Sequence, residues 1–599
     1  MKFLSRLFPA DMWAGRLALL VIAAFFKLLI FDVIWCSGTT FRAMSDIGLY
    51  VNAIFVALII VLPYVLTRRL WVESVIFFLV DILLICNLVY CRTYFTAIPL
   101  DSYLLAGNLS DFKASVVDSM RWYDILLPLS TLAAIIVCLP AIKKFPKGYL
   151  WKYLLTTLAA GLLAFLTALS KGGFMAHYSK LQESCYYTTC TTPIYTVGGS
   201  MIYDAVSTSK KLSDEERRMV SDWIEQKNAV RPYIPLPDSI PGRKNLVIVL
   251  CESLESWVID REIDGKQITP VMNSLLNDSS TLYAPHVLTQ VSSGRSIDCQ
   301  LLLNAGMLPM LSSVYSMKYP GNRYYTINQA LAEKNGARSY ILTCDKPIVW
   351  NQEPIARAFG VDTLLDRSSW RNDELVGNPA KLSDGSFLRQ SVEKMKSGEI
   401  WPEGEAGFVQ FVTYSGHNPF RLPEKLKGIE FDEKYPQRMR DYMTMANYTD
   451  RSIGELLDYL RSRSDYDSTL IVITGDHEGL ASDRAKILES AAAKGIVPEG
   501  QYTPFIVLNS PVGGRYDKVM GQIDMYPTLL NLMHLDDYEW KGMGQSIFTP
   551  GKPAFAISSM TNRIEGDTAG VDEAVFRNIK DARTVSDKII TFDLLRAQP

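Results

Sequence analysis

Charge of one sign is what this chain has least of: over 599 residues, 61 lysines and arginines meet 63 acids and leave a formal net charge of −2. That balance removes the broad basic footprint of a dedicated nucleic-acid binder, so no nucleic-acid partner is expected. Histidine is scarce, at 5 residues, and the 9 cysteines show no spacing of a four-cysteine or paired cysteine-histidine zinc site. Internal repeats and low-complexity tracts are absent. Disorder is excluded by a hydrophobic fraction of 48%. The length calls for at least two folding units, at roughly 100 to 200 residues per domain.

The apolar residues are unevenly placed. Five runs, at 17–36, 47–66, 70–91, 124–142 and 149–169, reach the roughly 20 residues that a helix needs to cross a bilayer. A signal peptide would supply one short run, so five in succession predict a retained five-helix membrane domain over 1–170. Lys2, Arg6 and Arg16 precede the first run, Arg68 and Arg69 fill the second loop, and Lys143, Lys144 and Lys147 fill the fourth. The positive-inside rule makes all three sets cytoplasmic, and an odd number of spans sends everything after residue 170 outside. A multi-pass protein of the cytoplasmic membrane is expected.

Lys27 and Asp81 fall near the middle of two spans that run in the same direction, so they share a depth and can pair. Intramembrane charges point to function by default, with a structural ion pair as the alternative. Asp32 and Glu73 lie nearer span ends, within reach of the interface. The outer loop 92–123 carries Tyr94, Phe95, Leu104, Leu105 and Trp122, which suit partial contact with the bilayer surface. Cys185 and Cys190 lie close together where oxidation is allowed and can form a local disulfide. Cys251, Cys299 and Cys344 read as small buried residues.

A connector follows over 171–243. Ser213 with Glu216 is a capping-box signature for a helix near 213–227, and Pro232, Pro235, Pro237 and Pro241 predict a stiff spacer and a boundary near 243. Beyond it, β-rich runs alternate with helical patterns, the mark of an α/β domain over 244–599 with a mainly parallel central sheet. The runs at 245–250, 339–343, 408–414 and 470–474 are followed by Glu252, by Asp345, by His417 and by Asp476 with His477. Ligands bind at the carboxyl edge of such sheets, so four chemically matched deliveries predict one pocket. Glu255 competes with Glu252, which follows its strand directly. In VSSGRSIDCQLLLN, 291–304, Gly294 permits a tight turn and a helix begins near Ser296. A hydroxyl there meets the positive helix end, which suits a phosphate or an ionised nucleophile, although an N-cap reads equally well.

CES at 251–253, SGRSID at 293–298, SGHNPF at 415–420, TGDHEG at 474–479 and DMYPTLLNL at 524–532 resemble the lipoteichoic acid synthase and phosphoglycerol transferase group of the alkaline phosphatase/sulfatase superfamily. Their order and spacing carry the resemblance, and five spans before an extracytoplasmic catalytic domain is that group's layout. The resemblance implies one divalent metal, typically manganese, held by Glu252, the nucleophile Ser296, Asp476 and His477. Carboxylates with one imidazole also admit Mg²⁺ or Zn²⁺. Serine at 296 replaces the family's usual threonine and keeps the hydroxyl, and Ser293 lines up less well. His417 matches the family's substrate-binding histidine, and Asp345 and Trp350 match positions lining its headgroup pocket. Gln352 stands where lipoteichoic acid synthases carry an arginine. Arg295 suits either a phosphoryl contact or a surface salt bridge. Sulfate-ester chemistry is disfavoured because Cys299 lacks the Cys-x-Pro-x-Arg context, and one metal fits better than two because two-zinc sites need more histidines and acids, and only two of His177, His286, His417, His477 and His534 follow strands in the expected pocket.

The resemblance implies transfer of phosphoglycerol from a phosphatidylglycerol-like lipid to a hydroxyl of an envelope glycan or polymer, through a phospho-serine. Phosphoethanolamine transfer is the runner-up. A phosphodiesterase that releases the headgroup to water, and a pseudoenzyme that only binds lipid or glycan, complete the alternatives.

Overall fold

The computed structural model describes residues 13–38, 47–94, 98, 119–138, 148–169 and 212–596, apart from 312, 348, 378, 379 and 482. The chain forms two compact units, the N-terminal helices and a second unit that runs from Leu212 to the C-terminus. Cys185, Cys190, His177 and most of the 92–123 loop lie outside the described residues.

In the first unit, helices α1 (Trp13–Gly38), α2 (Ile47–Thr67), α3 (Leu70–Tyr94) and α5 (Tyr149–Leu169) are long and apolar enough to cross a membrane. The fourth expected span, 124–142, is described only in part, as a single 3₁₀ turn at Trp122–Ile125 followed by α4 (Leu126–Cys138), and residues 139–147 are not described. Among the described residues, four candidate spans are therefore shown. Lys27 of α1 does pair with Asp81 of α3. Its ammonium also donates to Thr131 Oγ1 at 2.7 Å and to the Leu127 carbonyl at 3.0 Å, while the Thr131 hydroxyl donates to Asp81. All three ammonium protons are thereby used by α3 and α4, which satisfies the charge inside the bundle. Asp32 and Glu73 are 0% and 1% exposed, covered by neighbouring side chains and backbone. Glu73 accepts the Tyr64 backbone N–H at 3.2 Å, just after Pro63 interrupts the α2 hydrogen-bond ladder. A short spacing to the helix end does not by itself bring a carboxylate to the surface.

The second unit opens with α6 (Asp214–Val230), capped by Ser213 and Glu216 as its sequence signature requires. Trp223 Nε1 donates to the Asn578 carbonyl at 2.9 Å, and Arg231 donates to the Asn578 side chain at 2.7 Å. This unit thus begins earlier than the composition change at 243 suggests. Its centre is a nine-stranded sheet. The strands are β1 (Asn245–Cys251), β2 (Leu282–Leu288), β3 (Arg338–Thr343), β4 (Thr363–Leu365), β5 (Gly407–Val412), β6 (Thr469–Gly475), β7 (Tyr502–Leu508), β8 (Gly514–Arg515) and β9 (Met520–Gly521). They are ordered β8-β2-β7-β6-β1-β5-β3-β4, with β9 beside β2.

The run β6-β1-β5-β3-β4 is parallel, and β7 is antiparallel to both its neighbours. Along β1, Leu246, Ile248 and Leu250 enter one apolar layer, while Val247, Val249 and Cys251 enter the other. Burial on both faces explains the unbroken apolar run in this strand. Register then sets the site. Cys251 lies opposite Gly475, and Leu250 and Thr343 both lie opposite Val412, so four strands end level.

Candidate active site and metal centre

Because those strands end level, the residues that follow them gather at one edge. Glu252 and Asp476 leave neighbouring strands side by side, and His477 follows at once. Ligand atoms of Glu252, Asp476 and His477 lie within 4.8 Å of one another. His477 Nε2 is 3.4 Å from Glu252 Oε1 and 3.5 Å from Asp476 Oδ2.

Two acids so close, and out of water, oppose each other's ionisation. Burial and the Asp476 charge raise Glu252 well above the usual carboxylate range, and burial also raises Asp476. Burial and the Arg295 cation hold His477 down at about 3, so its imidazole is neutral. Nδ1 lies 3.0 Å from the Glu478 carbonyl. Arg295, which can only donate, also stands 3.0 Å from Nδ1, so this nitrogen meets both a donor and an acceptor; in the tautomer with Nδ1–H directed to the Glu478 carbonyl, the Nε2 lone pair faces both carboxylates, as metal ligation requires. Two carboxylates and one imidazole with a net negative charge fit a divalent cation.

Ser296 completes the group. It is the first residue of α7 (Ser296–Ala305), whose N-cap is Arg295, so the hydroxyl does not cap the helix. Its Oγ lies 3.4 Å from Glu252 Oε2 and 3.5 Å from His477 Nε2. The turn before it is held by Asp298, which accepts the Ser292 and Gly294 N–H groups at 2.9 Å each. A Cβ on Gly294 would come 2.3 Å from Asp298 Oδ1, so this turn needs glycine. Arg295 itself holds φ 49° and ψ −115°, a positive-φ conformation that costs an ordinary residue on the order of 1–3 kcal/mol.

Arg295 is not a surface ion pair. Its buried guanidinium donates to Glu478 Oε1 at 2.5 Å and reaches His477 Nδ1 at 3.0 Å, behind the imidazole. Glu255 is likewise committed to structure, since it accepts the Gly479 and Leu480 N–H groups and pairs with Arg484. Glu252 is the acid that faces the histidine.

A second group of residues follows β3 and β5. His417 stacks on Tyr414 at 5.4 Å between ring centroids, and its Nδ1 lies 2.7 Å from the Asn418 carbonyl. Burial and the nearby Lys381 cation lower His417 to about 4. Asp345 pairs with Lys381. Trp350 lies half-buried against the apolar layer that includes Tyr315 and Phe359. Gln352 is buried and exchanges hydrogen bonds with Gln300 at 3.0 and 3.1 Å, with Gln410 also donating to Gln300 at 3.3 Å. Its amide is therefore spent inside the domain. His286 and His534 meet the backbone carbonyls of Asp517 and Ile240, outside the strand-end site.

Neither Lys381 nor Glu478 was singled out from the sequence, although both contact site residues. Glu478 follows the Asp476-His477 pair directly, and that adjacency is a usable signal. Lys381 sits in a two-strand ribbon, Leu375–Val376 with Lys381–Leu382, too short to leave any periodic pattern.

Comparison with known proteins agrees with this architecture. A sulfatase family profile matches residues 244–535, and a lipoteichoic acid synthase N-terminal domain profile matches residues 1–216. Lipoteichoic acid synthase 2 of Bacillus subtilis is 25% identical over 554 residues, covering 87% of this chain and 84% of its own length. The crystal structure of a lipoteichoic acid synthase from Listeria monocytogenes superposes with a TM-score of 0.50 at 18% identity, covering 61% of this chain and 98% of that one. An integral membrane lipooligosaccharide phosphoethanolamine transferase from Neisseria meningitidis superposes with a TM-score of 0.52 at 14% identity, covering 86% of this chain and 95% of that one.

Proposed function

The chain belongs to the lipoteichoic acid synthase-like group of the alkaline phosphatase/sulfatase superfamily, and from that premise we propose that it moves phosphoglycerol from a phosphatidylglycerol-like lipid to a hydroxyl of an envelope glycan or polymer. The observation that carries the reading is the placement of the Ser296 hydroxyl 3.4 Å from Glu252 and 3.5 Å from His477, beside a triad with excess negative charge. In this reading Glu252, Asp476, His477 and Ser296 hold one divalent cation, with Mn²⁺ first and Mg²⁺ or Zn²⁺ as substitutes. That cation supplies a lowered hydroxyl pKa and charge neutralisation at the phosphoryl oxygens.

Ser296 Oγ forms a bond to the lipid phosphorus as the bond from phosphorus to the diacylglycerol oxygen breaks, and diacylglycerol departs with a proton. The acceptor hydroxyl oxygen then bonds to phosphorus, the bond to Oγ breaks, and Ser296 regains its proton. The neutral His417 imidazole is suited to orienting the headgroup or relaying that proton. Arg295 acts behind the site by fixing His477 through Glu478. The helices make this a membrane protein. Five spans with the catalytic unit outside the cytoplasmic membrane remain the reading of the basic loops, and a lipid donor needs no ATP there.

The test offers detergent-solubilised protein phosphatidylglycerol and phosphatidylethanolamine together with Mn²⁺, and follows both lipids by mass spectrometry. Diacylglycerol from phosphatidylglycerol, lost in Ser296→Ala, is the expected result. Turnover of phosphatidylethanolamine instead would replace this reading with phosphoethanolamine transfer, and free glycerophosphate without acceptor product would make it a phosphodiesterase.

A further inference from the structure

An ammonium group entering the site would look for a carboxylate and an aromatic face. The site offers both, and Lys381 occupies both. Its Nζ pairs with Asp345 and lies 4.4 Å from the centroid of the Tyr414 ring. The other side of that assembly leads to His417, stacked on the same tyrosine. Asp345 remains reachable, with its side chain 28% exposed against 8% for Lys381.

This lysine is held in place. Gly377, at φ +77°, lets the ribbon approach Tyr414 so closely that a Cβ there would stand 3.0 Å from the ring. Three residues after Lys381, the Asp384 carboxylate accepts the Tyr414 and Ser415 N–H groups at 3.0 and 2.9 Å, and the Asp384 N–H donates to Ser415 Oγ at 2.8 Å. The ribbon and the loop carrying His417 are thus tied together on both sides of the lysine. No positional freedom of the loop is needed for Lys381 to meet a ligand beside His417.

We propose that Lys381 determines donor specificity, excluding headgroups that carry an ammonium and favouring an uncharged polyol on the phosphate. The inference rests on the phosphoglycerol reading and names what enforces it. A built-in ammonium repels a second one and takes the partners it would need, while offering N–H donors to hydroxyl or phosphate oxygens. Asp345, with one oxygen engaged, keeps acceptor capacity for a glycerol hydroxyl.

The experiment is a competition between phosphatidylglycerol and phosphatidylethanolamine with the full-length protein, for wild type, Lys381→Met and Lys381→Arg. The preference for phosphatidylglycerol is expected to fall about tenfold in Lys381→Met, as one charge contact in a partly buried pocket implies, and to persist in Lys381→Arg. An unchanged preference in Lys381→Met, or an equal fall in Lys381→Arg, overturns the proposal. A second measurement guards against a misfolded variant: on wild type, glycerol 1-phosphate should inhibit lipid turnover about tenfold better than O-phosphoethanolamine, and equal inhibition also overturns it. Wild-type turnover of neither lipid, or of phosphatidylethanolamine alone, removes the phosphoglycerol reading and this inference together. Turnover of phosphatidylglycerol with an unmoved preference removes only the role of Lys381.

Discussion

Two of the places where this molecule buries charge solve the problem in opposite ways. In the helical unit, one cation meets one anion, and Thr131 and the Leu127 carbonyl take the remaining protons of Lys27. In the α/β unit, Glu252 and Asp476 share a site with a neutral His477. The first cluster is complete without any ligand. The second carries negative charge that its own residues leave unbalanced, because Arg295 is directed to Glu478 and Lys381 to Asp345. Buried charge is therefore informative through its balance: a closed pair holds helices together, and an open set selects a cation.

The largest effect that would sharpen this contrast is on chemistry. Ser296→Ala should reduce lipid turnover by about 10⁴-fold or more while leaving metal binding measurable by calorimetry; turnover within tenfold of wild type would remove the nucleophile role. Next comes the closed pair. Lys27→Met strands Asp81 and should destabilise the helical unit by about 3–5 kcal/mol, whereas Lys27→Met with Asp81→Leu should recover most of that. Thermal unfolding in detergent reads both, and a double variant no better than the single one would contradict a self-contained pair.

A smaller effect separates the two clusters through ligand. Mn²⁺ at a hundred times its dissociation constant should stabilise the α/β unit by about 2.7 kcal/mol. Asp476→Asn should abolish that gain, and Lys27→Met should keep it; a shift that survives Asp476→Asn would place the metal elsewhere.

The smallest effect is a pH slope in chelator. His417 and His477 are held at about 4 and about 3, against an ordinary value of 6.5. Below pH 6.5 the unfolded chain binds protons that the folded one refuses, so their stability contribution is present above that pH and lost as pH falls toward 4. His417→Gln should flatten the slope between pH 6 and 4 by close to one proton, as followed by melting temperature across a buffer series. An unchanged slope would mean that the folded imidazole takes up its proton as easily as in water.

Legibility differed by the range of the interaction. Apolar runs and strand-end residues are local patterns, so the membrane helices, the parallel sheet and the convergence of Glu252, Asp476 and His477 could be read in advance. The capping box at Ser213 is equally local. The burial of Asp32 and Glu73 was not legible, because the distance from a helix end does not report which neighbour covers a side chain. Gln352 stands where the resemblance has an arginine, and its hydrogen bonds with Gln300, 52 residues away in sequence, were not legible. Arg295 reads as a phosphate contact or a surface residue until Glu478 and His477 are seen beside it.

The sequence by itself determined the class of chemistry, because metal ligands and a nucleophile must be particular residue types and here they follow recognisable strands. Only the tertiary structure decided which charges are balanced. Pairing between Lys381 and Asp345, or between Arg295 and Glu478, depends on contacts 36 and 183 residues apart in the chain, and no local pattern encodes which distant side chain arrives; Lys27 and Asp81 could be paired in advance only because two membrane spans fix their depth.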